Sequence, residues 1–387
     1  MGETNSTENR IKPLITTILS FICILAILVI IHELGHFLTA KIFKIKVLEF
    51  GIGYPPRILS FKKNSTIYSL NILPLGGFVK LLGEEDPTDP QSLAKQNRLV
   101  RLTVLASGAI MNFILALFLF SLLYALPQER VSGNIQIMDI SQNSPADLAG
   151  LKPGDLIMKI DGHSIRNSQE AGQRIRMKLG ETTTWSIIRP QKLITGSIGF
   201  TQENSISESS ISMGDKFSVA LVPRWNPPEG EGNAGIIISN MNVTSIHKSE
   251  ININAIWHGF EVMTNSLLLI RKEITGWIVS SMTPQFAGPI GIAQVTGEVA
   301  REGIIPLINL SALLSLQLAI LNLLPIPALD GGRIMFLFIE ILRRGKRIPP
   351  EKEAFVHLAG IIILLSLIVV ISYFDVARII TGDSLLK

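Results

Sequence analysis

The chain holds a single cysteine, Cys23, among its 387 residues. An internal disulfide framework and every cysteine-based zinc site are therefore excluded, so any bound zinc must rest on histidine and carboxylate ligands. Charge is also scarce: charged residues make up 17% of the chain, and none occurs from Leu14 to Ile31. A dinucleotide fingerprint is missing, because Gly51-Ile52-Gly53 lacks both a third glycine and a following helix. The formal charge is only +4, and membrane topology accounts for the two basic loops described below, so no nucleic-acid partner is needed to explain them.

What is present is apolar. Hydrophobic residues make up 47% of the chain and the mean hydropathy is +0.39, high for a soluble protein. Four runs are long enough to span a bilayer: Leu14–Phe43, Leu102–Leu126, Ile304–Leu324 and Ala354–Phe374. The first follows Arg10 and Lys12 as a signal peptide would. Its apolar stretch is too long for one, however, and no small-residue cleavage site follows, so it reads as a retained anchor. Lys41, Lys44, Lys46, Arg57, Lys62, Lys63, Lys80, Lys95, Arg98 and Arg101 separate runs one and two, and Arg333, Arg343, Arg344, Lys346, Arg347 and Lys352 separate runs three and four. The positive-inside rule makes both loops cytoplasmic and puts the termini and residues 127–303 outside.

At the end of the first run stands His32-Glu33-Leu34-Gly35-His36. Histidines at i and i+4 lie about 40° apart on one helix face at roughly 100° per residue. Two imidazoles there hold Zn²⁺, and Glu33 reaches a water on the same ion as general base. Ionisable groups at the end of so apolar a run need partners and are functional candidates by default. A catalytic zinc takes three protein ligands and one open position. Asp330, in Asn322-Leu-Leu-Pro-Ile-Pro-Ala-Leu-Asp-Gly-Gly-Arg333, is the best third ligand. Pro325 and Pro327 break the helix, and irregular backbone at membrane depth survives only where it is buried in protein or lines a cavity. His32 lies about 18 residues, or roughly 27 Å, beyond the start of its run. Asp330 lies about 25 residues beyond the start of run three with part of the path unwound. Both runs go from outside to inside, so both residues arrive in the cytoplasmic half of the bilayer.

Residues 47–82 alternate β-like runs (Val47–Phe50, Ile58–Phe61, Thr66–Leu73, Phe78–Leu82) with prolines and glycines. They are expected to form a cytoplasmic-side hairpin, either purely structural or offering a sheet edge to an extended peptide. Asn143 to Gly162, with turns at Pro153-Gly154-Asp155 and Asp161-Gly162, resembles the core of bacterial PDZ domains, and no second copy follows in 201–250. Residues 255–282 recur in apolar character at three- and four-residue spacing, with Glu261, Arg271, Lys272 and Glu273 on the other face. That pattern fits a helix lying on the outer membrane surface and equally one packed on the PDZ module.

Taken with Gly108-Ala-Ile-Met-Asn112 and Gly288-Pro-Ile-Gly291, these motifs make nearly the whole chain resemble the bacterial site-2 proteases. These are the intramembrane zinc metalloproteases that include the regulator of sigma-E protease. The resemblance implies zinc on His32, His36 and Asp330, Glu33 as base, and Asn322 holding the substrate backbone or its oxyanion. It also implies a β-loop that engages the substrate as an added strand. The expected protein is a polytopic α-helical membrane protein with four transmembrane helices, a cytoplasmic-side β-loop and one extracytoplasmic PDZ domain. Its segments are 1–43 (tail and first helix), 44–101 (β-loop and polar loop), 102–126 (second helix) and 127–202 (PDZ). There follow 203–303 (β segment and interface helix), 304–342 (third helix with Asp-Gly-Gly), 343–353 (basic loop) and 354–387 (fourth helix and tail). It is expected in a bacterial plasma membrane, with single-span membrane proteins as substrates, a peptide on the PDZ domain and the lipid bilayer as partners. Its substrates would be membrane-anchored anti-sigma factors already clipped outside, or remnant signal peptides. A membrane-tethered PDZ adaptor would need neither zinc nor Glu33, and a zinc hydrolase of a lipid or small molecule would not need the PDZ module.

Overall fold

The structure, a computed structural model, describes residues 3–84, 86–190, 214–248, 253–280 and 287–381. The ends of the expected 127–202 module and 255–282 helix lie outside the described residues. The chain forms two compact units, one of Met1–Leu123, Ile256–Met263 and Gln285–Lys387, the other of Tyr124–Ala255 and Thr264–Pro284.

The first unit opens with α1 (Glu3–Ile42). Its Leu14–Ile42 stretch is one of four helices, among the described residues, long and apolar enough to cross a membrane; the others are Arg98–Ala125, Ile304–Leu323 and Pro350–Thr381. Protein buries only 11% of the most apolar window of the first and 6% of that of the last. Leu19, Ile27, Ile363 and Val369 stand exposed. In water such faces would be extensive apolar patches; in lipid they are the ordinary exterior of spanning helices. The chain is a multi-pass membrane protein.

After α1 come β1 (Val47–Lys63) and β2 (Thr66–Leu81), one antiparallel ribbon. The expected short runs are joined into two long strands, and the prolines and glycines survive as register shifts between Val47 and Leu59. Each strand of a two-stranded ribbon has a free edge, so proline there removes no ladder bond. The ribbon's base packs with α2 (Arg98–Ala125) through a core of Ala40, Ile45, Val47, Leu81, Val104 and Leu105.

The second unit holds β3 (Gln128–Ile140), α3 (Pro145–Leu148), β4 (Leu156–Ile160), β5 (His163–Ser164), α4 (Ser168–Met177), β6 (Thr183–Arg189), β7 (Asp215–Leu221) and β8 (Ile236–Lys248). Its sheet runs β7-β6-β4-β3-β8 with β5 on β4, every pair antiparallel. The sheet takes strands from both sides of residue 202, so β7 and β8 complete what 127–202 begins. Ser144 and Asn167 cap α3 and α4 by accepting from Asp147 and Glu170 amides. Trp185, fully buried, centres a core with Ile135, Ile157, Ile160 and Ile175.

Next comes α5 (Ile253–Val279). Its later half belongs to the sheet unit, and the reason is Lys272. This lysine is buried, donates to the Glu181 carboxylate and to the Leu179 carbonyl at 3.2 Å, and lies 5.4 Å from the Trp225 ring centre. Packing on the sheet unit thus accounts for this half of the helix, while Trp257, Phe260 and Ile278 keep exposed apolar surface.

The chain returns to the first unit through α6 (Pro289–Glu302), α7 (Ile304–Leu323), α8 (Asp330–Leu342) and α9 (Pro350–Thr381). Asp375 of α9, wholly buried, accepts from the Gly291 amide at 2.7 Å and from Arg378 at 2.8 Å. A carboxylate from one helix thereby caps the first turn of another. A Cβ at Gly288 or Gly291 would collide with that carboxylate, which explains the Gly-Pro-Ile-Gly run.

The Lys272 hydrogen bond holds the Glu181 carboxyl below its ordinary value. A depressed folded value means the contribution is full above the unfolded value of about 4.3 and is lost as pH falls through the folded one. Glu181→Gln is expected to lower the melting midpoint by about 2–4 °C near neutral pH and to narrow the gap from wild type on acidification. A gap that stays constant from neutral pH down to pH 3 would show that the pair does not anchor α5.

Candidate metal centre

His32, Glu33 and His36 lie on α1, and the tight crossing of α1 with α2 sets their position. Gly35 meets the Ser107 carbonyl so closely that any Cβ would collide, and Thr39 Oγ1 lies 3.0 Å from Ser107 Oγ. The third element arrives through a helix break. After α7, Leu324 to Leu329 run irregularly and Ala328 takes φ 85°. The Ala328 amide, without an intrahelical partner, donates to His357 Nδ1 of α9 at 3.1 Å. Asp330 then starts α8, and Cβ atoms at Gly331 or Gly332 would strike the Leu324 and Ile326 carbonyls. Glycine here lets a new helix begin directly against the segment that breaks the old one.

The three polar tips converge. Asp330 Oδ2 lies 3.0 Å from His32 Nε2 and 3.1 Å from His36 Nε2, and the two ring nitrogens are 3.2 Å apart. Among the described residues these form the one group able to hold a metal ion. The second nitrogen of each ring tests the fit. His36 Nδ1 donates to the Val104 carbonyl at 2.8 Å, so in a neutral ring Nε2 carries the lone pair. That lone pair and the Asp330 carboxylate are then two acceptors in contact, which repel unless a proton or a cation lies between them. Tetrahedral zinc with bonds of about 2.0–2.1 Å sets its ligands about 3.3 Å apart, close to the spacing found. The donor set of two imidazoles and a carboxylate suits zinc, and the residues fit.

His32 presents the same question at Nδ1. Two amides lie against it, Asn112 at 3.3 Å and Asn322 at 3.4 Å. With Nε2 turned to a metal, Nδ1 carries the hydrogen and needs an acceptor. Asn112 is wholly buried and its Oδ1 has no hydrogen-bond partner. Oxygen and nitrogen of an amide are assigned by network, not by shape. Turning the Asn112 amide gives Nδ1–H its acceptor, the outer-layer contact that fixes a metal-binding tautomer. One turn earlier on α2, Gly108 abuts both rings, and any Cβ there would overlap His32 and His36 nitrogens.

Glu33 shares a cavity of about 280 Å³ with His36, Asp330, Phe78, Val79 and Arg333. Val79 lines the cavity beside its carboxylate, and Gly77 lies close to its Cγ. Strand β2 therefore passes directly along the general-base candidate. The structure brings together His32, Glu33, His36 and Asp330, while Asn322 reaches the outer nitrogen of His32. The roles of Gly108, Asn112 and the Val104 carbonyl are not readable from residue identity. A backbone carbonyl has no sequence signal, and Gly-x-x-x-Asn names two residues on one helix face without saying what they face.

A sequence profile described as Peptidase family M50 matches residues 20–367. A Clostridium acetobutylicum relative with a zinc-metalloprotease designation is 34% identical over 90% of this chain and 94% of its own. The regulator of sigma-W protease RasP of Bacillus subtilis is 29% identical over 94% of this chain and 99% of its own. The chloroplastic membrane metalloprotease ARASP of Arabidopsis thaliana is 32% identical over 91% of this chain and 76% of its own.

Two substitutions test the outer contacts. Gly108→Ala improves helix propensity by about 1 kcal/mol, yet it should leave purified protein largely free of zinc by elemental analysis. Asn112→Leu, similar in shape but without an acceptor, should weaken zinc binding about 10–100-fold in chelator competition, with Asn112→Asp restoring most of it. Wild-type zinc affinity in Asn112→Leu would remove Asn112 from the site.

Proposed function

The chain belongs to peptidase family M50 and is a membrane zinc metalloprotease, and from that premise we propose that it cuts single-span membrane proteins inside the bilayer. In this reading His32, His36 and Asp330 hold zinc and Glu33 is the general base. The observation that carries it is the convergence of α1 and the broken α7–α8 segment on one cation-sized gap, with Glu33 in the adjoining cavity.

Bound zinc supplies a Lewis acid that polarises a carbonyl and makes water nucleophilic near neutral pH. Glu33 takes the proton of the attacking water and returns it to the nitrogen of the departing chain, so the peptide C–N bond breaks as a C–O bond forms. The His36–Val104 bond and the Asn112 amide hold the rings in the tautomers this arrangement needs. His32 Nδ1 has one hydrogen and Asn112 accepts it, so the Asn322 amide is left to bind the substrate carbonyl or its oxyanion.

A helical substrate shields its own peptide bonds, so it must unwind to be cut. Strand β2 beside Glu33 offers an edge to the unwound segment, and Ile58, Leu59, Phe61, Ile72 and Leu73 give the ribbon the exposed apolar surface of a membrane-immersed hairpin. Its free edges and apolar tips favour a substrate-binding role over a purely structural one. The six-stranded unit is assigned as a PDZ domain on its Asn143–Gly162 stretch, and its groove takes a peptide. The domain limits are those of the expected order, with the PDZ unit drawing in β7 and β8. The basic loops put both termini and that unit outside the cell, and the metal centre in the cytoplasmic half of the bilayer. Membrane-anchored regulators of sigma factors, already clipped outside, and remnant signal peptides are the substrate classes this suits. The designation of the Bacillus subtilis relative, regulator of sigma-W protease, favours the first.

Glu33→Gln in the full chain, reconstituted in liposomes with a single-span substrate, should lower cleavage at least about 10³-fold, while zinc content and melting stay at wild-type values. A chelator should abolish wild-type cleavage. Undiminished cleavage by Glu33→Gln would sink the assignment of the base.

A further inference from the structure

A second polar cluster lies at the start of α2, where Arg98 begins the helix. Glu340 of α8 is buried, and three guanidinium groups gather on its carboxylate. Arg101 donates to it at 2.6 Å, Arg347 Nε stands 3.5 Å away and Arg98 Nε 3.8 Å away. Arg347 also donates to the Ala94 carbonyl at 2.6 Å. Gly345, at φ 89°, brings the α8–α9 loop so close to Arg98 Nη2 that a Cβ would press on it. One carboxylate cannot balance three cations, so the cluster keeps two positive charges over. Beside it lies a shallow cavity, wide open to its surroundings and lined by Gln96, Asn97, Arg98, Leu99, Glu340 and Arg347.

We propose that this cavity binds the phosphodiester headgroup of an anionic membrane lipid. The surplus charge needs a counter-anion, and a guanidinium fork matches phosphate oxygens in two-point contact. Arg98 is the loosest arm of the cluster: its Nε pairs with Glu340 only at 3.8 Å, beyond hydrogen-bond range, and 47% of its side chain is exposed. Two features favour a lipid over a free phosphate. The cavity opens where an apolar spanning helix begins, the level at which headgroups lie. Leu99, 76% exposed, lines the cavity and offers apolar surface to acyl chains. Gln96 Nε2 already donates to the Pro90 and Ser92 carbonyls and Asn97 Oδ1 accepts from the Val100 amide, which leaves Gln96 Oε1 and Asn97 Nδ2 for the hydroxyls of a glycerol headgroup. A bound lipid would then join α2, α8 and the loop after α8, the element that carries Asp330 among them.

Native mass spectrometry of the full chain, titrated with phosphatidylglycerol or phosphatidylcholine of matched acyl chains, tests this. Phosphatidylglycerol should bind about tenfold or more tightly than phosphatidylcholine. Arg98→Gln should erase that preference and Arg98→Lys should keep part of it. Arg343→Gln with Lys346→Gln removes more charge from the same loop but does not line the cavity, and should leave the preference intact. Melting curves without added lipid check that Arg98→Gln is folded; were it not, the Lys variant and the loop control still decide. Equal binding of the two lipids, equal loss in the loop control, or full displacement by millimolar inorganic phosphate would each overturn the proposal. The last result would make the cavity a site for free phosphate.

Discussion

In the tautomers that a metal requires, His32 Nε2, His36 Nε2 and Asp330 Oδ2 are three acceptors within 3.2 Å of one another inside an apolar helical layer, and they repel. A proton or a metal cation among them turns that repulsion into binding, and only the metal engages all three at once. The rest of the membrane unit can be understood as what it takes to bring the three there. One helix supplies two of them at i and i+4, which costs nothing in backbone terms. The third must come from a different segment at the same depth, and a continuous helix would carry Asp330 past the level of His32. The chain therefore stops α7, runs irregularly through Leu324 to Leu329, and starts α8 on Asp330 itself.

Breaking a helix in a membrane exposes amides and carbonyls that have no water to bond. Here the break is repaired by near neighbours. Leu324, Leu329 and Gly332 donate to carbonyls three residues back, and Ala328 donates to His357. The same problem recurs at the start of α6, where Asp375 answers it. Two helix starts and two repairs, one by a histidine and one by an aspartate of α9, make that helix more than a lipid-facing span. Its most apolar window is barely buried by protein, yet its few polar residues secure the irregular backbone on which the centre depends.

What could be read from the sequence follows from what each signal encodes. His32, Glu33 and His36 were legible because helical spacing alone places them together, and Asp330 because prolines and glycines in an apolar run imply a broken helix with a purpose. The first three spans were legible to within a few residues because hydropathy measures the environment that forms them, while the last helix continues past Phe374 through the polar Asp375 and Arg378 to Thr381. The ribbon was partly legible: alternation marked its strands, but Pro55, Pro56 and Gly76 read as ends when they are irregularities within two long strands. The later half of α5 was ambiguous because amphipathic spacing fits lipid and protein alike. The choice is made by Lys272, whose partners Glu181 and Leu179 are about ninety residues away. Contacts at that separation leave no local pattern. The joining of β7 and β8 to the sheet was hidden for the same reason.

The face of α2 that meets the centre shows how narrow the tolerance is. Val104, Ser107, Gly108 and Asn112 recur at three- and four-residue spacing and are all buried, and each meets the metal-binding helix differently. A carbonyl fixes His36, a hydroxyl lies beside Thr39, a missing side chain admits both rings, and an amide faces His32. The opposite face carries Ile110, Ile114 and Phe118, exposed as lipid-facing residues are. Substitution among apolar residues on that outer face changes only what touches lipid. On the inner face the loss of one amide oxygen, or the gain of one methyl group at Gly108, reaches the histidines directly. In the proposed centre, metal affinity would therefore depend as much on a helix that supplies no ligand as on the two segments that carry His32, His36 and Asp330.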